Sequence, residues 1–347
     1  MNVLSRRYAP LQASLTSEMK RFLAIGSFGL ALLLCSAAAC GQDAPCRRRT
    51  VIVNVVTEAG FPVQNLVLSD FSAKLGSEPV GLLSLTPQTA SPPRIVVVLD
   101  ASASMTSISG WELVRQMAID LVRKASEASP IALIVFGSQV AVKVDFAKGR
   151  TAVLEQLRTI QPGKNIFTKR QGTALWDAFA EAFQILQPVM PGDVIYAVTD
   201  GEDNASHTQR IEIERRLIAS GVRPFIAVPP TRPLLYQIRT PEKFNAAREI
   251  SELTFATGGA LVSVDLSMAP RKISLDEKYL AQLSAAVAPL YEQMKNYYQL
   301  EIDLPVEVDK SRPWKLELVK TPDKKQKGLH LAFPRKLLPC GGSTSPD

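Results

Sequence analysis

The sequence predicts an α/β protein: a doubly wound, mainly parallel sheet with one antiparallel edge strand, Rossmann-like, flanked by a small β-sandwich. Three observations predict it. Between residues 94 and 265, short apolar runs alternate with amphipathic stretches, the pattern of a parallel sheet covered by helices on both faces. Two of those runs are joined too tightly for a helical crossover, so one edge strand must run antiparallel. On either side, residues 50–90 and 298–340 read as β structure, each too small for a core of its own.

The elements follow in order. At the N-terminus, Lys20-Arg21 precedes an apolar run from Phe22 to Leu34 and the small residues Ala37-Ala38-Ala39, the layout of an export signal over 1–39. Met19 stands just before it as a candidate true start, with residues 1–18 upstream. The small residues favour cleavage; an uncleaved anchor is the alternative, and Cys40 is a candidate for lipidation. The chain is therefore expected to be exported, whether periplasmic, an outer-envelope lipoprotein or secreted. It would meet a membrane only through this segment or a lipid. Cys46 and Cys340 form an even pair in an oxidising compartment and are the disulfide candidates, either bridged or left in loose ends.

In residues 50–90, Val51, Val53 and Val55 alternate with their neighbours, Glu58-Ala59-Gly60 forms a turn, and Phe71 to Gly76 reads as strand then turn. Ser91-Pro92-Pro93 marks a boundary. In the 94–265 domain, strands are expected at 94–99, 131–136, 140–146, 193–199, 223–228 and 260–265. Helices are expected at 110–128, 150–159, 173–187, 207–220 and 242–257. Leu113, Met117, Leu121 and Ala125 make one apolar stripe. A long helix over 274–297 opens with a capping box at Ser274-Leu275-Asp276-Glu277, carries Leu280, Leu283, Val287, Leu290, Met294 and Tyr297 on its packing face, and kinks at Pro289. The tail strands at 298–304 and 315–319 pair with the 50–90 segment to complete the sandwich.

Charge excludes little but shifts the balance. The formal net charge is +7, of which residues 1–39 hold +3, leaving a modest +4. No basic run is interleaved with aromatics, so nucleic acid is not an expected partner. The usual catalytic signatures are also absent: no G-x-S-x-G elbow, no H-E-x-x-H, no C-x-x-C and no glycine-rich phosphate loop. A serine nucleophile would need a base, and the two histidines, His207 and His330, do not sit in a catalytic motif. His207 is expected in the first turn of the helix at 207–220. The chain reads as a binding protein; a hydrolase is the weaker alternative.

In an open α/β sheet, ligands bind beyond the carboxyl ends of the strands. Two apolar strands end there in aspartate, Leu99-Asp100 and Thr199-Asp200. The loop after Asp100 supplies Ser102 and Ser104, and Thr173 opens a helix whose start faces the same edge. Carboxylates, hydroxyls and waters suit a hard ion with octahedral oxygen ligands: Mg²⁺ first, then Mn²⁺, with Ca²⁺ tolerated. Glu202 and Asp203 follow Asp200 as residues that support the site or face a partner, and Lys169 and Arg170 precede Thr173. Lys164, Arg232 and Arg239 lie on loops expected at the same edge, where cations favour an acidic partner.

With these loops in view, the chain resembles the von Willebrand factor type A family. Asp100, Ser102 and Ser104 match its D-x-S-x-S loop, Thr173 its second loop and Asp200 its third, over roughly residues 94–265. The usual pattern has glycine where Ala103 stands, and alanine is less free at positive φ. The flanks, Thr57 to Val63 with Asp70-Phe71, and Gly258-Gly259 with Tyr297 to Leu300, are similar to secreted bacterial VWFA-related proteins common in acidobacteria. The resemblance implies a metal-ion-dependent adhesion site, whose ion is one ligand short until an aspartate or glutamate of a protein partner completes its shell. The alternative it leaves open is a scaffold whose site is formed but unused. Oligomeric state is left open.

Overall fold

The computed structural model describes residues 46–88, 92–106, 110–160, 172–229, 241–264, 276–319 and 328–340. The export signal, Met19, Cys40 and the cations Lys164, Lys169, Arg170, Arg232 and Arg239 lie outside these residues. Among the described residues, no helix is long and apolar enough to cross a membrane.

The central sheet is built from β5 (Ile95–Asp100), β6 (Ile131–Phe136), β7 (Val140–Val144), β8 (Val194–Val198), β9 (Arg223–Val228) and β10 (Ala260–Ser263). Its order is β10-β9-β8-β5-β6-β7; every pairing is parallel except β6 with β7. The expected antiparallel edge strand is therefore β7. Strands β5, β6 and β8 are buried at every position, so their side chains need apolar cover on both faces.

One face is covered by α2 (Gly110–Lys124), α3 (Gly149–Thr159) and α7 (Glu277–Lys295). The other is covered by α4 (Leu175–Ile185), α5 (Arg210–Ser220) and α6 (Pro241–Thr257). A single turn, α1 (Ala103–Thr106), follows β5. The stripe on α2 is buried as its spacing requires, with Leu113 and Met117 at 0% exposure. Because α7 packs on the sheet, the α/β layer extends past residue 265 to Lys295.

Two details of the sequence reading change, the cap of α7 and the extent of its apolar face. The N-cap of α7 is Asp276, whose side chain accepts from Tyr279 N–H; Ser274, the expected cap, lies outside the described residues. The helix continues through Pro289, where the missing N–H leaves the Ala285 carbonyl without its helical donor. Its apolar face starts at Tyr279 rather than Leu280 and ends at Met294, because Tyr297 already belongs to the next strand.

The flanking sandwich uses both ends of the chain. β1 (Arg48–Val56) pairs antiparallel with β11 (Tyr297–Asp303), which also pairs with β4 (Gly81–Gln88); β14 (His330–Ala332) closes this sheet beside β1. A second sheet joins β2 (Phe71–Leu75) to β3 (Glu78–Pro79) and β13 (Lys315–Leu318). The two sheets share a core that includes Val53, Val55, Phe71, Tyr298, Leu300 and Leu316. β12 (Arg312–Pro313) and β15 (Lys336–Leu337) form a short ladder beside it. Cys46 and Cys340 are disulfide-bonded with Cα atoms 5.9 Å apart, so the two ends of the sandwich are tied covalently.

Arg223, the first residue of β9, fastens the sandwich to the α/β layer. It is 1% exposed and donates to the carbonyls of Gln293 (2.9 Å), Met294 (2.9 Å) and Gly192 (3.1 Å). Gln293 and Met294 are in the last turn of α7, where carbonyls lack helical partners and the helix dipole favours a cation. Asn54 of β1 donates to the Gln293 and Asn296 carbonyls, and the guanidinium stacks 3.9 Å from the Tyr297 ring centre. Burial holds the guanidinium pKa down at about 10.

Candidate metal centre

The order in which the parallel strands are laid down reverses between β5 and β8, the switch point at which such sheets open a crevice. Asp100 ends β5, and Thr199-Asp200 follows β8 directly, so both aspartates sit at that crevice.

Asp100 is fully buried. Its Oδ1 accepts the Ser102 N–H at 2.9 Å, and its Oδ2 accepts the Thr199 hydroxyl at 2.6 Å. Thr199 in turn accepts the Gly201 N–H at 3.0 Å, which links the third loop to the first. Burial, followed by repulsion from Asp200, pushes the Asp100 carboxyl up to about 7. A carboxylate is thus held in a dry place beside a second carboxylate, with too few donors to keep it comfortably ionised.

Ser102 and Ser104 present their hydroxyl oxygens 3.1 Å apart. The two hydroxyls are hydrogen-bonded to each other, and neighbouring ligands on an octahedral ion at about 2.1 Å would stand about 3.0 Å apart, so an ion could take both with little movement. Among the described residues, no three His, Cys, Asp or Glu side chains gather as a metal-binding group. An ion here would rest on two carboxylates, hydroxyls and water, a donor set suited to Mg²⁺ or Mn²⁺ and poor for a thiolate- or imidazole-seeking metal.

The structure corrects the expected cost of Ala103. The residue lies in the helical turn α1 and does not have positive φ, so the position has no need of glycine. Glycine is needed elsewhere: Gly201 has φ +85°, and a Cβ there would meet Ile250 Cδ1 at 2.8 Å and the Ala246 carbonyl at 3.1 Å. The third loop therefore lies hard against α6.

Thr173 is buried and locked to the third loop through its backbone. Its N–H donates to Asn204 Oδ1 at 2.8 Å, and its carbonyl accepts from the N–H groups of Asn204 and Ala205, both at 3.0 Å. The clasp continues along the first turn of α4. Asp203 Oδ1 accepts the Leu175 N–H at 2.8 Å, and Ser206 Oγ accepts those of Trp176 and Asp177. Asp177 reciprocates, accepting the His207 and Thr208 N–H groups. Orphan donors at the start of α4 are thereby satisfied by the very loop that carries Asp200.

This places the expected residues unequally. Asp100, Ser102, Ser104, Thr173 and Asp200 all lie in the three loops at one edge. Asp203 braces the start of α4 through its Oδ1; Glu202 remains on the loop beside Asp200, its N–H donating to Asp200 Oδ1 at 3.3 Å. His207 precedes α5, which starts three residues later than expected, because Asp177 turns the chain there. Thr199, Asn204, Ser206 and Asp177 escaped the sequence reading. The clasp partners are 28 to 31 residues apart, a separation at which no local periodicity registers.

Residues 95–202 match the family model for the von Willebrand factor type A domain. This chain carries a von Willebrand factor type A domain. Among solved structures, the chain is similar to the conserved hypothetical protein BatB from Bacteroides thetaiotaomicron, at 18% identity over 57% of this chain and 98% of that one, with a TM-score of 0.40. It is also similar to proximal thread matrix protein 1 of the mussel byssus, described with a zinc-occupied MIDAS motif, at 14% identity over 62% of this chain and 49% of that one, TM-score 0.42. A von Willebrand factor type A protein from Catenulispora acidiphila matches at 11% identity over 84% and 73%, TM-score 0.42. No curated protein matches the chain.

Proposed function

We propose that this type A domain is a divalent-metal-dependent protein-binding module. Asp100, Ser102, Ser104, Thr173 and Asp200 would hold the ion, directly or through water, and an aspartate or glutamate of a partner would complete its shell. The observation that carries the reading is the Asp100 carboxyl, buried beside Asp200 and pushed up to about 7. A divalent cation would relieve both the desolvation and the repulsion. When bound, it would supply an open Lewis-acidic position for a carboxylate oxygen. The chain's own residues orient the hydroxyls, exclude water from Asp100 and hold the second and third loops together. Mg²⁺ is the expected ion, with Mn²⁺ and Ca²⁺ as substitutes.

In this reading the protein is not an enzyme. It works outside the cytoplasm, in the cell envelope or beyond, and a disulfide joining its two ends suits an oxidising compartment. The basic residues flanking Thr173 and after β9 favour an acidic partner. The second reading is a scaffold in which the sandwich makes the contacts and the metal site stays idle.

Affinity capture from native extract separates the two. Wild type should retain a partner in Mg²⁺ and release it in chelator, and Asp200→Ala should retain none in either condition. Capture that is unchanged by both the substitution and the chelator leaves only the scaffold.

A further inference from the structure

A second cleft, of about 450 Å³, opens between the start of β1, the end of α5 and the segment 334–340, at the far end of α5 from the metal loops. That volume is within the range of small-molecule sites. Its lining is of two kinds. Ile52, Ile218, Leu337 and Leu338 make an apolar wall, while Arg48, Arg49 and Lys336 supply cations and no carboxylate lines it.

The three cations differ in how far they are already engaged. Lys336 is paired with Glu214 at 3.0 Å, and Glu214 also takes Arg210 at 3.1 Å. Arg49 donates from Nε to the Cys46 carbonyl at 3.2 Å and from Nη1 to the Leu338 carbonyl, which leaves its Nη2 buried without a partner. The Arg48 side chain makes no hydrogen bond or ion pair with any described residue. A buried guanidinium N–H with no acceptor is costly, and the planar fork suits an oxyanion.

We propose that this cleft binds a small anionic amphiphile, with its carboxylate or phosphate head on Arg48 and Arg49 and its alkyl chain along the apolar wall. The site is independent of the metal loops. The head sits where an acceptor is missing, and the tail covers Ile52 and Ile218. Both halves of the ligand are needed: an inorganic anion lacks the apolar area, and an alcohol of the same length lacks the charge.

Calorimetric titration of the full chain, below the micelle concentration, tests this with four probes: decanoate, decyl phosphate, decanol and inorganic phosphate. One equivalent of decanoate or decyl phosphate should bind, at least tenfold more tightly than decanol or inorganic phosphate; the tighter of the two identifies the head group. Arg48→Gln, at an exposed position, should weaken binding about tenfold with the melting temperature unchanged. Arg49→Gln should weaken it further, and Asp200→Ala should leave it unaltered. The proposal is overturned if neither anionic probe binds, or if both bind equally well to folded Arg48→Gln and Arg49→Gln.

Discussion

Asp100 and Arg223 are both charged residues removed from solvent, yet their surroundings differ in kind. Arg223 meets three carbonyls, an asparagine side chain and an aromatic face, all neutral and all arranged by the end of α7 and the first strand of the sandwich. Asp100 meets the Ser102 N–H, the Ser102 and Thr199 hydroxyls and a second carboxylate. The protein supplies acceptors for both terminal nitrogens of the first charge, leaving its Nε without a partner, and that charge rivets two layers together. The second is left short, and the group that would satisfy it must come from outside. Burial of a charge therefore does not by itself mark a functional site; burial against a like charge is the stronger sign.

The largest expected effect breaks the joint that Arg223 makes. Arg223→Met strands the carbonyls of Gly192, Gln293 and Met294 and should cost about 3–5 kcal/mol of stability in urea denaturation. If that variant is as stable as wild type, the joint is held by the apolar cores alone.

Breaking the unsatisfied charge should have the opposite sign. The Asp100 carboxyl is raised in the folded state to about 7, above its unfolded value, so the folded protein holds a proton there that the unfolded chain has released. In the absence of metal, stability from this group is fully present below about pH 4 and is lost as pH rises through about 7. Metal-free Asp100→Asn at pH 8 should then be more stable than wild type, by on the order of 2 kcal/mol. Wild type should gain melting temperature with Mg²⁺, increasingly as pH rises through 7, and Asp100→Asn should not. A thermal melt series over pH 5–8 checks both signs.

Smaller effects test the parts that hold the site in shape. Asn204→Ala removes the acceptor for the Thr173 N–H and should cost about 1 kcal/mol in chemical denaturation, with metal affinity falling about tenfold. Asn204→Asp, which keeps the acceptor, should restore most of the affinity. Ala103→Gly should change stability by no more than about 0.5–1 kcal/mol and should not raise metal affinity, since the turn at 103 is already helical. A tenfold gain in affinity on that substitution would return the glycine of the family pattern to importance.

The same contrast explains what could be read from the sequence. Asp100 and Asp200 were legible because each ends an apolar run, and a carboxylate at the end of a buried strand has few structural reasons to be there. The hairpin at β6 and β7 was legible because its connection is too short for a crossover. Arg223 was not legible: it looks like an ordinary charge at a strand start, and its partners come from Asn54 and the end of α7, distant in sequence. Nor was the clasp of Asp203, Asn204 and Ser206 on α4, whose residues read as polar turn filler until the two loops are brought together. The start of α5 was misplaced for the same reason, since Asp177 of another helix holds the His207 and Thr208 N–H groups in the turn before it and leaves no local signal.

The central claim is that three loops make a cation site awaiting a carboxylate. Electron paramagnetic resonance of Mn²⁺ titrated into the protein, with and without acetate as a surrogate for the partner's side chain, tests it most directly. Wild type should bind one Mn²⁺, more tightly when acetate is present, and Asp100→Asn and Asp200→Ala should each bind none in the millimolar range. Free Mn²⁺ signal undiminished by wild-type protein in acetate, or the same binding by wild type and both variants, would contradict it.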